Sequence, residues 1–223
     1  MLYHAQWCSL VKSPVVSNSM SLKVFSVGHS NHSIQCFLEL LRRNAISAIA
    51  DVRSVAISKY APHFNGKDLA AELRRNEIEY SYLGAELGGR PSTPDLYTDG
   101  IADYEKMART PNFRAGIDRV IKGSDRFRIA LMCSERDPMD CHRFLLVARD
   151  LAERGVLVGH ILPDEDVVSQ VHMEERLLDW AGASESDLFD SRTKRLDSAY
   201  RKRSIKVAYE EMHPAEGPSV AAE

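Results

Sequence analysis

Seven residues able to do chemistry fall within one eleven-residue window: Cys133, Glu135, Asp137, Asp140, Cys141, His142 and Arg143, in the stretch LMCSERDPMDCHRFLL. Two thiols beside an imidazole suggest more than one use. A thiol of lowered pKa is a nucleophile, and a nearby carboxylate or imidazole can move a proton for it. The same Cys133, Cys141 and His142 are also zinc ligands by type, and a distant His29 or His160 would complete a Cys2His2 set. The C-x7-C-H spacing is looser than a C-x2-C knuckle, and no second cysteine pair answers it. No cofactor is therefore assigned, and zinc stands as the minor option. Arg143 adds a planar donor suited to phosphate or carboxylate.

Other polar residues follow apolar runs. KVFSVG (23–28) leads into His29, Ser30 and His32; ISAIADV (46–52) ends at Asp51 with Arg53 and Ser54 behind it. IEYSYL (78–83) leads into Glu86, Gly88, Gly89 and Arg90; RFRIALMC (126–133) ends at Cys133; VLVGHIL (156–162) carries His160. In a parallel sheet these segments share one edge, at the carboxyl ends of the strands, where open α/β folds bind ligands. Neither a GxGxxG fingerprint nor a P-loop is present. Gly88 and Gly89 also suit a plain turn that needs positive φ.

The elements that must position these residues alternate. Helical periodicity marks 33–44, 67–76, 101–108, 113–123, 139–155 and 168–182. Asp137, Pro138 and Asp140 read as a cap and first turn, so the fifth helix should begin just before Cys141 and bury that thiol on an apolar stripe. Strand–helix alternation predicts a single α/β domain over 22–183. Its sheet should be mostly parallel and Rossmann-like, with about five strands flanked by helices. Residues 1–21 read as a mobile tail. Residues 184–223 read as a polar extension outside the core, with seven Lys/Arg against one Asp in 192–206.

The 223 residues are 44% hydrophobic and 27% charged with a formal net charge of -3, which excludes a globally basic nucleic-acid binder. The first twenty residues lack a sustained apolar stretch after a basic start, and no run approaches a membrane span. Four cysteines without regular spacing do not form a disulfide framework, so a cytoplasmic protein with no membrane partner is expected.

The motifs VGHSNHS, DVRS, ISKYAPHFN, YLGAELGGR, LMCSERDPMDCHR and HIL, in this order, resemble a bacterial family named domain of unknown function 488. The resemblance covers about residues 23–165. It implies a compact α/β protein and no particular activity. It also picks out Gly28, His29, Ser30, Asp51, Arg53, Ser58, Phe64, Leu83, Gly84, Gly88, Gly89, Cys133, Glu135, Cys141, His142 and Arg143. Where relatives commonly carry a proline after DVRS, this chain has VAIS.

Together these readings predict an enzyme acting on an anionic, phosphate-bearing substrate, a nucleotide or nucleic acid among the candidates. Cys133, His29, Glu135 and Asp51 would be catalytic, Cys133 as nucleophile if its pKa is lowered. Arg53, Ser30, Arg90, Gly88, Gly89, His142 and Arg143 would bind the substrate. A non-catalytic nucleotide or nucleic-acid binding module, with the basic tail on phosphates, is the alternative. A structural zinc site is the third.

Overall fold

Four short apolar segments become parallel strands because each is buried on both faces, and a fifth, the largely exposed EYSY at 79–82, pairs along their edge. The computed structural model describes residues 23–164, 166–184 and 190–211. Its elements run β1 (Val24–Gly28), α1 (Ile34–Arg43), β2 (Ala48–Asp51), α2 (Gly66–Arg75), β3 (Glu79–Tyr82), α3 (Gly84–Leu87), β4 (Tyr97–Thr98), β5 (Ile101–Ala102), α4 (Tyr104–Ala108), α5 (Pro111–Ser124) and β6 (Ile129–Cys133). A 3-10 turn (Pro138–Asp140) and a π-helix (Arg143–Ala148) lead into α6 (Arg149–Glu153), β7 (Val158–Ile161), β8 (Val167–Ser169), α7 (Gln170–Trp180) and α8 (Arg192–Val207).

The main sheet has the order β3-β2-β6-β1-β7-β8. The first five strands are parallel, as the alternation predicts; β8 adds an antiparallel edge. The sequence pattern assigned Val168 and Ser169 to the last helix, but Ser169 is its cap and the residues before it pair with β7. Likewise Ile101–Ala102 is not helical. Asp99 and Gly100 both have positive φ, the two-residue hairpin turn that DG favours, and α4 starts after the Asp103 cap.

Side chains alternate across the sheet into two cores. Phe25, Val27, Ile49, Ala130 and Met132 meet Phe37, Leu41, Leu69 and Leu73 of α1 and α2. Ala48, Ala50, Leu131 and Cys133 face the opposite layer, built by α4, α5, the π-helix, α6, α7 and α8. Each fully buried Leu or Phe contributes about 1.5–3 kcal/mol. The basic segment is part of this layer, not an extension outside it. Ala199 and Tyr200 of α8 are buried, and Tyr200 accepts a hydrogen bond from Gln170 Nε2 at 2.7 Å. Its arginines meet carboxylates of the body: Arg192 with Glu174, Arg201 with Glu105 and Arg203 with Asp140. The expected tail at 1–21, like 185–189 and 212–223, lies outside the described residues. Among the described residues no helix is long and apolar enough to cross a membrane.

Topology places the site. The chain leaving β1 and β2 passes to the α1–α2 face, whereas the chain leaving β6, between them, passes to the other. A crevice opens where neighbouring strands send their connections to opposite sides.

Candidate active site

The ends of β2 and β6 line this crevice, and the end of β1 backs them. The backbone first ties them together: His29 N–H donates to Cys133 O at 2.9 Å, Ser30 N–H to Ser134 O at 3.0 Å, and Val52 N–H to Met132 O at 3.1 Å. The result is a cleft of about 560 Å³ lined by Cys133, Glu135, Cys141, His142, Arg53 and Gly89 among others.

On its floor Cys133 Sγ, Cys141 Sγ and His142 Nδ1 all lie within 4.8 Å of one another. Each sulfur is 3.8 Å from Nδ1. His142 Nε2 lies 2.8 Å from Val52 O. A carbonyl only accepts, so this partner assigns the proton to Nε2 and turns Nδ1 toward the thiols. Zinc bonds of roughly 2.3 Å to sulfur and 2.0 Å to nitrogen require an S···N edge near 3.5 Å in a tetrahedron, close to what is present. The Cys-Cys-His cluster could therefore hold a metal ion. Neither distant histidine joins it. His160 spends Nδ1 on Ser26 Oγ and Nε2 on Gln170, and His29 is likewise engaged on both ring nitrogens.

Local backbone brings Cys141 to the cluster. Helix does not begin before it: Asp137 caps only a 3-10 turn, and Cys141 is extended at φ -139° and ψ 139°. The helix that follows opens with a π segment, a form that concentrates at functional sites. Cys141 is buried as expected, yet its sulfur faces Cys133 and Glu135. Glu135 Oε2 lies 2.7 Å from Cys133 Sγ and 3.1 Å from Cys141 Sγ. Burial of this inward carboxylate, and Cys141 beside it, raise its pKa.

The two thiols are not equivalent. Burial, then Cys141 and Glu135, push Cys133 well up. Burial opposes ionisation of Cys141 too, but the hydrogen bond from Cys133 and the positive charge of Arg143 and His142 pull it well down. The condition set on Cys133 as nucleophile, a lowered pKa, belongs to Cys141.

Behind the cleft, Asp51 and Arg53 form a buried bidentate pair: Nε to Oδ1 at 2.9 Å, Nη2 to Oδ2 at 2.6 Å. Phe64 O and Tyr80 Oη complete its partners. His29 stacks on Phe64, and its Nε2 lies 3.3 Å from Arg53 Nη1. Burial lowers its pKa to about 4, so it is neutral and serves as an acceptor for Arg53. Ser30 sits outside the cleft lining at φ 46°. Arg143 does not reach the cleft either; it is fully buried and donates to Glu135 O and Arg136 O, clamping the loop that carries Glu135.

Gly88 and Gly89 are not positive-φ turn residues; the positive-φ glycines among the described residues are Gly100, Gly155 and Gly182. Gly89 is small because the His142 ring lies against it. Sequence reading named Ser54 at this edge without giving it a role, and missed two further neighbours. Ser54 Oγ accepts from Arg90 N–H at 2.9 Å, Tyr104 lines the wall with its phenol held neutral by burial, and residues 207–210 close the rim. The serine had a signal, directly following Arg53; the other two had none.

A family model described as domain of unknown function DUF488 matches residues 33–149, more than half of the chain. No curated protein and no solved structure matches the chain.

Proposed function

Because the chain belongs to the DUF488 family, whose description carries no activity, we propose a function from the site alone: a zinc-dependent enzyme that hydrolyses a small anionic, phosphate-bearing substrate. The observation that carries this reading is the convergence of Cys133, Cys141 and His142 Nδ1 on the floor of an open cleft. Two thiolates and an imidazole are a zinc-type set, and three protein ligands beside a cavity suit a catalytic site better than a closed structural one. Zinc bound there would supply Lewis-acid chemistry at its remaining position. Glu135, against both sulfurs, is the group placed to take a proton from an attacking water. Arg90 at the rim supplies positive charge for the anion, while Arg53 is neutralised by its pairing with Asp51. A cleft of about 560 Å³ suits a small molecule rather than a duplex.

Metal analysis of untagged full-length protein tests the first half. The expected result is near one zinc per chain, falling below about 0.1 in Cys133→Ser and Cys141→Ser, because such a site should be nearly filled. Wild-type protein below that level would remove the reading. The second half is tested with a panel of phosphate esters and nucleotides, with and without a chelator. Turnover that persists in Cys141→Ser would sink it.

One observation favours a second reading. Cys141, lowered by Cys133, Arg143 and His142, is the more readily ionised thiol, and it lies beside an imidazole raised above its ordinary value, a pair that needs no metal to supply a nucleophile. Irreversible loss of activity on carboxymethylation of a metal-free but active protein would select it.

A further inference from the structure

The rim of the cleft is completed by chain that lies beyond the family match. Val207 at the end of α8 and the extended residues Ala208, Tyr209 and Glu210 that follow it line the cavity, about sixty residues after the match ends. This strap is pinned. Ala208 N–H donates to Ser204 O at 2.8 Å, Ala102 N–H to Tyr209 O at 2.9 Å, and Glu211 N–H to Gly100 O at 2.8 Å. Ile101 and Glu210 form an antiparallel bridge, so the segment extends the β4–β5 hairpin over the site.

Arg90 lies under it. Its guanidinium carbon is 4.7 Å from the centre of the Tyr209 ring, and its backbone N–H is held by Ser54 Oγ. The guanidinium makes no hydrogen bond or ion pair among the described residues, whereas Arg53, the other arginine lining the cleft, is committed to Asp51 and Phe64 O. A planar cation stacked on an aromatic face keeps its N–H edge available for a bidentate oxyanion. Glu210 lines the same rim without pairing to Arg90, and its charge disfavours a second negative group nearby.

We propose that the strap 207–211 and Arg90 form an anion subsite for a single phosphate or carboxylate group of the substrate, so that the matched core supplies the reacting cluster and this chain's own C-terminal segment selects what reaches it. The proposal rests on the reading of the cleft as an anion-binding active site. It assigns Arg90 as a binding residue and Tyr209 as a positioning residue.

The test is titration of full-length, isotopically labelled protein with inorganic phosphate, followed at the backbone amides of residues 207–211 in every variant and, where Arg90 is present, at its side-chain N–H resonance. Phosphate should shift that resonance. Its Kd should rise about tenfold in Arg90→Leu, the scale of one charge-assisted contact. In Tyr209→Ala it should rise about threefold, as for an exposed cation–π pair, and in Glu210→Gln it should fall. Equal affinity in wild type, Arg90→Leu and Tyr209→Ala would overturn the subsite, as would shifts that leave Arg90 untouched. Zinc content measured on the same samples separates the two ideas. Phosphate bound through Arg90 in a zinc-free wild type leaves the subsite standing and removes the metal. Zinc present with no phosphate at Arg90 does the reverse.

Discussion

Gly89 lies against the imidazole of His142: a Cβ added at residue 89 would stand 2.8 Å from Cγ and 2.9 Å from Nδ1 of that ring. The ring is anchored on its far side by Val52 O, so it must swing or lose that bond. Gly89→Ala should therefore lower zinc affinity about 10–100-fold, the range for disturbing a ligand's supporting contacts. Overpacking should cost about 1–3 kcal/mol of stability. Gly123→Ala is the control, since its Cβ would meet only the Cδ1 tip of Ile129. Zinc titration of the two variants decides the point, and equal affinities would show that Nδ1 is not a ligand.

The asymmetry between the two thiols has its own test. In metal-free protein, iodoacetamide should label Cys141 before Cys133, because only thiolate reacts and Cys141 carries the lowered pKa. Peptide mass spectrometry over a time course reads the order. Adding zinc should protect both sites together. Cys133 reacting first would reverse the assignment and restore the expectation drawn from its strand-tip position.

How much of this was legible in the sequence differs from residue to residue. The strand ends at Asp51 and Cys133 were readable, because apolar runs that stop mark sheet edges whatever the helices do; His160 instead lies inside β7, paired with Ser26 and Val168. The sheet edge therefore gathered the right segments. What each side chain does once gathered was less readable, since a polar group can turn toward the cleft or away from it. Arg143 turns back to clamp two carbonyls, and His29 serves Arg53 rather than a substrate. Cys141 depended on a break between a 3-10 turn and a π-helix, which no 3.6-residue pattern reveals. Helix α8 hid its packing because its buried stripe is narrow, Ala199 and Tyr200 with Leu196 and Val207 partly covered, inside a strongly basic composition.

Asp51 and Arg53 are both buried, with side-chain exposures of 0% and 4%. Removing one partner strands the other charge, so Asp51→Leu should cost about 3–5 kcal/mol in urea unfolding. Adding Arg53→Met should return a large part of that loss, since a well-packed apolar pair avoids the desolvation penalty. The double variant should still fold. A double variant no more stable than Asp51→Leu alone would show that the two charges act independently.

His160 makes stability depend on acidity. Burial lowers its pKa from 6.5 to about 4, and both ring nitrogens are held by Ser26 and Gln170. The unfolded chain takes up this proton near pH 6.5, but the folded chain resists it until about pH 4. Stability is thus at its full level above about pH 6.5, declines as pH falls below that, and carries the whole penalty once pH passes about 4. The slope from one such histidine is at most about 1.4 kcal/mol per pH unit, or roughly 3 kcal/mol over the window. His29, also lowered to about 4 by burial, adds in the same direction. His160→Gln removes one titrating group, so urea unfolding between pH 7.5 and 4.5 should show a lower stability at the neutral end and a shallower acid limb. Parallel limbs for wild type and His160→Gln would mean that this histidine is already protonated within the fold.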